Sequence, residues 1–157
     1  METKIESVAL KGVKIASNMS EETIAFTGLL YINGKKAADL KNDGRGGNNS
    51  AWFNDRELEK AFNSYCESLP AVLDKELGPL TMDADFWISL EVGKIDDERF
   101  WKRKCAKNMC VKLKSHKDGE FIQYKNWAYS VDAAKEVRKT HGNELVEIIN
   151  ERFLGKK

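Results

Sequence analysis

A chain of 157 residues, 41% apolar and 32% charged with only two prolines, has the composition of a folded domain and excludes a disordered or collagen-like chain. A formal charge of +1 excludes a strongly basic or acidic module, and no apolar run approaches the roughly 20 residues of a membrane span. The length predicts one α+β domain over 1–157 that buries about 70% of its unfolded surface.

The opening stretch, Met1-Glu2-Thr3-Lys4-Ile5-Glu6, lacks the basic and apolar zones of a secretory leader, so a cytoplasmic location is expected. Val8 to Ala16 reads as a first strand with a phase change at Gly12, the mark of a bulge. Ile24, Phe26, Gly28, Leu30 and Ile32 then alternate with polar and mixed positions, and Asn33-Gly34 supplies the two positive-φ residues of a type I′ turn. The return strand sends Ala38 and Leu40 inward, which completes a hairpin over about 23–41. Ser50 to Phe53 reads as a short further strand. Asn54 and Glu57 form a capping box for a helix over about 55–69, with Leu58, Ala61, Phe62, Tyr65 and Leu69 on one stripe and Pro70 beyond its end. Gly78-Pro79 is a break.

Residues 82–107 carry two patterns. Phe86, Ile88, Leu90 and Val92 alternate as a strand would, whereas Met82, Phe86, Leu90 and Ile95 fit a helical stripe; length and an acid-rich start favour the helix. A second hairpin follows over about 109–125, turning at Asp118-Gly119. Ser130 caps a helix over about 131–140 that Gly142 ends, and Leu145, Ile148, Ile149 and Phe153 predict a last helix over 143–153. The expected architecture is an antiparallel sheet of hairpins packed against these helices.

The least ordinary segment is the glycine-rich loop Asn42-Asp43-Gly44-Arg45-Gly46-Gly47-Asn48-Asn49. Glycines permit successive backbone N–H groups to converge on an anion, and Arg45 adds a planar fork for phosphate or carboxylate. Asn42, Asp43, Gly44, Arg45, Gly46, Gly47 and Asn48 are therefore the candidate ligand-binding residues. The segment is no known phosphate fingerprint, since it lacks a Gly-Lys-Ser/Thr ending and opens no helix. Two other readings stand beside it: a hard cation held by Asp43, Asn42 and Asn48, at a spacing that fits no calcium loop, and a wide loop whose asparagines and aspartate satisfy its own backbone.

Charge is unevenly placed. Residues 54–98 hold twelve acids against four bases, and residues 99–117 hold eight Lys or Arg and no acid. Lys102, Arg103, Lys104, Lys107, Lys112 and Lys114, interleaved with Phe100 and Trp101, are candidates for a nucleic-acid-binding stripe; a salt-bridged, solvated face is the competing reading. Cys66, Cys105 and Cys110 form no C-x-x-C pair and read as small buried hydrophobes. His116 and His141 sit in no nucleophile motif and at no zinc-ligand spacing, so no catalytic residue, metal site or cofactor is assigned. The four tryptophans read as core or rim; an exposed one would mark an interface anchor.

The run Leu30-Tyr-Ile-Asn-Gly-Lys-Lys36 with Asn42-Asp-Gly-Arg-Gly-Gly-Asn48, the later Lys102-Arg-Lys-Cys-Ala-Lys107, and the closing Glu144 to Arg152 segment resemble uncharacterised small proteins of bacteriophages and bacterial mobile elements. The resemblance implies phage or prophage origin, and so the cytoplasm of a host cell, with a helix over 82–107. Three functions follow in order: an accessory binding protein that acts on a host protein or sequesters a phosphorylated small molecule through the loop; a nucleic-acid-binding protein using 99–117; and a small nucleotide-processing enzyme, if Asp43 shares a cleft with an acid from 54–98.

Overall fold

The computed structural model describes residues 3–154, so Met1 and Glu2 of the opening stretch lie outside them. It is an α+β protein whose strands, among the described residues, pair antiparallel, and it divides at Ile95/Asp96 into two compact units, each with its own buried cluster.

The first unit is built on a four-stranded meander, β1 (Val8–Ile15), β2 (Phe26–Ile32), β3 (Lys35–Asn42) and β4 (Ser50–Phe53), in that spatial order. Asn33 and Gly34 take φ of 52° and 80°, the left-handed pair that lets a two-residue turn follow strand twist. The expected bulge lies between Lys11 and Lys14, with Gly12 at φ 58°. A second slip in the β2–β3 ladder leaves Ala37 and Ala38 both buried. One face of the sheet, with Val13, Phe26, Leu30 and Leu40, packs with Phe62 and Cys66 of α1 (Arg56–Glu67) and Ile88 and Val92 of α2 (Ala84–Cys105). Phe62 is the hub, edge-on to Trp87 at 5.5 Å and tilted against Phe53 at 5.9 Å.

The N-cap of α1 is Asp55, one residue later than the capping box predicts: its carboxylate accepts from Glu57 N at 2.9 Å, while Asn54 N donates to Ala37 O. Residues 84–105 form a helix as expected, but the expected stripe is corrected: Ile88 and Val92, one turn apart, are the buried pair, whereas Phe86 and Leu90 are only half-buried. Between α1 and α2, where the sequence shows only a break, lies a hairpin of β5 (Val72–Asp74) and β6 (Gly78–Leu80); Asp74 Oδ1 accepts from the N–H groups of Glu76 and Leu77 and closes its turn.

The second unit holds the sheet β8-β7-β9, from β7 (Met109–Leu113), β8 (Ile122–Tyr124) and β9 (Leu145–Ile148), with α3 (Val131–His141). The two predicted hairpins thus fall in separate sheets. Ser130 Oγ accepts from Ala133 N at 3.0 Å and Gly142 closes α3 at φ 53°, as expected. The predicted helix over 143–153 is corrected: Leu145–Ile148 pairs with β7, Val111 opposite Ile148, and 149–153 is a 3-10 turn. The change from strand to turn buries both Ile148 and Ile149, which a helix would also have done, and it directs Asn150 inward. Asn150 Oδ1 accepts from Cys110 N at 2.8 Å and its Nδ2 donates to the carbonyls of Asn108 and Cys105. Among the described residues, no helix is long and apolar enough to cross a membrane.

Candidate functional site

β3 ends on Asn42, a polar side chain only 7% exposed. Its Oδ1 accepts from Thr23 Oγ1 and Gly44 N, both at 2.8 Å, and its Nδ2 donates to Gly47 O at 3.1 Å and Asn49 Oδ1 at 3.0 Å. The full capacity of the amide is used, so Asn42 folds the loop around itself. Arg45 N donates to Asp43 Oδ1, Gly46 N to Thr23 Oγ1 and Asn49 N to Asp85 Oδ1. Four loop N–H groups, of residues 44, 45, 46 and 49, therefore point to partners in the chain.

The loop also holds its neighbours. Gly44 O accepts from the N–H groups of Glu21 and Glu22, each at 3.0 Å, which fixes the connection between β1 and β2. Gly44 sits at φ 84°, and a Cβ there would lie 2.3 Å from Met19 O, so this approach requires glycine. Asn49 Nδ2 reaches Asp85 Oδ1 at 2.9 Å and Ser89 Oγ at 2.8 Å on the first turns of α2.

Two open clefts flank Lys41 and Asp43. One, of about 320 Å³, is lined by Lys41, Asp43, Gly47, Asn48, Ser50 and Trp52, with Asn42 at its base. The other, of about 340 Å³, is lined by the apolar Ile15, Met19, Ala25 and Phe26 together with Lys14, Thr27, Lys41 and Asp43. An inner cavity of about 150 Å³ lies behind Asn42, between Thr23, Asn49, Ser89 and Val92. Of the predicted ligand-binding residues, Asn42, Asp43, Gly47 and Asn48 meet in the first cleft. Gly44 and Gly46 face Met19 and Glu22, and Arg45 lines neither cleft. Asp43 is the one carboxylate lining either cleft among the described residues; Asp85 of the acid-rich segment is bonded to Asn49 instead.

The residues that sequence reading left out of this site are Lys41, Ser50, Trp52 and Thr23. Trp52 is 57% exposed and stacks on no other ring among the described residues. Its signal lies in strand parity: Ala51 and Phe53 pack on the core, which turns Trp52 outward.

In the second unit, three of the six candidate basic residues have partners. Lys102 Nζ lies 2.9 Å from Glu98, Lys104 sits over the Phe100 ring at 5.7 Å, and Lys112 Nζ donates to the carbonyls of Glu120 and Lys117. Trp101 packs edge-on against Phe100 and Phe121, at 5.1 and 4.7 Å, so the interleaved aromatics face each other. Arg103, Lys107 and Lys114 are exposed. His116 Nδ1 accepts from Leu113 N, and His141 Nε2 shares a hydrogen bond with Tyr124 Oη at 2.8 Å. No three His, Cys, Asp or Glu side chains among the described residues come together as metal ligands would.

No family model, curated protein or solved structure matches the chain.

Proposed function

We propose that the protein is a non-enzymatic binding protein that takes a phosphate-bearing small ligand of nucleotide type in the cleft beside the glycine-rich loop. One observation carries this reading: an exposed ammonium, Lys41, and an exposed indole, Trp52, line the same cleft of about 320 Å³, with the loop residues Gly47 and Asn48 and the Ser50 hydroxyl between them. Lysine supplies charge for a phosphate and tryptophan a flat apolar face for a ring. The inward N–H groups of the loop give it a second task, holding that wall rigid so that binding costs little ordering. With Asp43 as the only carboxylate lining the clefts among the described residues, the arrangement suits binding better than acid–base chemistry. The resemblance to phage and mobile-element proteins suggests an accessory role in which the ligand is withdrawn from the host cell.

A thermal-shift screen against nucleoside mono-, di- and triphosphates tests it. A ligand at a hundred times its Kd adds about 2.7 kcal/mol of apparent stability. Lys41→Gln and Trp52→Ala should each remove most of the shift. A panel that moves the wild-type midpoint nowhere, or moves both variants equally, refutes the reading.

A further inference from the structure

The outer face of the β1–β4 sheet carries a pattern that the loop-side cleft alone does not explain. Cross-strand pairing sets out its rows: Lys14, Thr27, Lys41 and Ser50 lie opposite one another across all four strands, and Lys11, Leu29, Asp39 and Trp52 form the next row. A third row begins with Ala9 and Tyr31 and ends on Lys36. Regular alternation would not put all these lysines on one side. The bulge between Lys11 and Lys14 hides Val13 and leaves both lysines outward, and the slip opposite Leu30 and Tyr31 hides Ala37 and leaves Lys36 outward with Asp39 and Lys41.

The result is four exposed lysines against one acid, a local charge of +3 in a chain whose total is +1. That acid is itself neutralised, since Asp39 lies 3.2 Å from Lys36 Nζ. Aromatic surface is interleaved with the charge: Lys11 Nζ sits 4.4 Å above the Tyr31 ring, and the Trp52 indole is bare. Lys14 and Lys41 bracket the small Thr27 side chain two strand spacings apart, about 10 Å. An open, cationic sheet face with an exposed indole suits a flexible polyanion whose rings are free to stack, and a paired duplex offers no such rings.

We propose that this sheet face binds a single strand of nucleic acid, the cleft between Lys41 and Trp52 holding one nucleotide of a strand that continues over Thr27 toward Lys11 and Tyr31. This rests on the reading of that cleft as a nucleotide site and names its ligand as a polymer.

Fluorescence anisotropy of end-labelled twelve-nucleotide DNA and RNA strands, titrated with the whole chain between about 50 and 200 mM salt, tests it. Binding should weaken with salt at a log–log slope of about −2 to −3, as three or four phosphates neutralised on a single strand require. A duplex of the same sequence should bind more weakly. Trp52→Ala should lower affinity about 5- to 150-fold, the range of one lost stacking contact. Lys11→Gln with Lys36→Gln, outside either cleft, should weaken strand binding and flatten the slope while leaving any mononucleotide shift intact, and Lys11→Arg with Lys36→Arg should restore both. No binding of any strand at the lowest salt overturns the proposal. So does loss of binding in Lys107→Gln with Lys114→Gln but not in the sheet variant, or equal affinity and salt dependence for a polyglutamate peptide, which would make the face a site for acidic proteins. Strand binding that depends on Lys11 and Lys36, with no shift by any mononucleotide, removes the small-ligand reading and upholds this one.

Discussion

Asn42 Nδ2 donates to Asn49 Oδ1 across 3.0 Å, and through this contact the loop is joined to α2, because Asn49 in turn donates to Asp85 and Ser89. Thr23, Asn42, Asn49, Asp85 and Ser89 form one chain of hydrogen bonds from the β1–β2 connection to the helix. Asn42→Ala would strip partners from a hydroxyl, an N–H and two oxygens at once. The expected cost is roughly 2 to 4 kcal/mol: a buried polar group left unpaired costs about 1 to 3, but Thr23, Asn49 and Gly47 are open enough for water to replace part of what is lost. Asn42→Asp keeps the acceptor but sets oxygen against Gly47 O and Asn49 Oδ1, so it should not rescue. Urea unfolding of both variants measures this; a cost under about 0.5 kcal/mol, the low end for one hydrogen bond, would show the network to be incidental.

The three loop glycines differ in what surrounds them. At Gly44 an added Cβ meets backbone, Met19 O at 2.3 Å, in a segment that Gly44 itself holds through its carbonyl. At Gly46, with φ 94°, the Cβ meets Glu22 Oε2, the end of a movable side chain, and Gly47 has nothing within 4 Å. Alanine should therefore cost about 3 kcal/mol or more at position 44, about 1 to 2 at position 46, mostly from the left-handed backbone, and under about 0.5 at position 47. Midpoints of chemical denaturation give the order directly, and a Gly47→Ala variant as damaged as Gly44→Ala would contradict it.

Features that reside in adjacent residues were legible in the sequence. The Asn33-Gly34 turn, the Gly12 bulge and the Ser130 cap each depend on local backbone preference and spacing, and each forms where expected; the α1 stripe forms through Leu58, Phe62 and Tyr65, with Cys66 buried and Leu69 beyond the helix end. Features made by distant partners were not. Thr23 meets Asn42 over 19 positions and Asn49 meets Asp85 over 36, so the loop sequence displays its glycines without displaying that its N–H groups turn inward. The segment from Leu145 to Phe153 has apolar spacing that a helix satisfies, but pairing of Leu145 and Ile148 with β7 overrides it. The lysines of the outer sheet face fall out of strict alternation because two register slips intervene, which only the ladder reveals.

Acid should loosen the second unit. Burial pushes the Glu151 carboxyl upward, but the hydrogen bonds it accepts from Arg138 and from Tyr129 Oη outweigh this and hold it below its ordinary 4.5. Glu147 is likewise lowered, by the hydrogen bonds from Arg152. A carboxyl lowered by folding stabilises the native state fully above its unfolded value, and that contribution fades as pH falls through the folded value. The thermal midpoint should thus hold from pH 7 to about 5 and fall below about 4.5. Glu151→Gln should lower the midpoint at pH 7 by a few degrees and make the acid fall shallower. A parallel acid fall in wild type and variant would assign the lability elsewhere.

The three thiols should be chemically quiet in the native protein. Burial, with Asp83 and Glu67 adding to it, pushes Cys66 up to about 12. Burial and the neighbouring Cys110 push Cys105 up to about 12 against a small opposing pull from Arg152, and burial raises Cys110 as well. The thiolate is the reactive form, and a thiol at such a value is ionised in only about one molecule in ten thousand at pH 8, against about a quarter for a free cysteine. A disulfide reagent at pH 8 should therefore label the folded chain slowly. It should label three thiols at once in denaturant. Cys105, half-buried where Cys66 and Cys110 are fully enclosed, should account for the first native phase, so Cys105→Ser should remove it. A fast phase that survives Cys105→Ser would mean that Cys66 or Cys110 is reached through opening of the unit that holds it, and its rate would then report that opening.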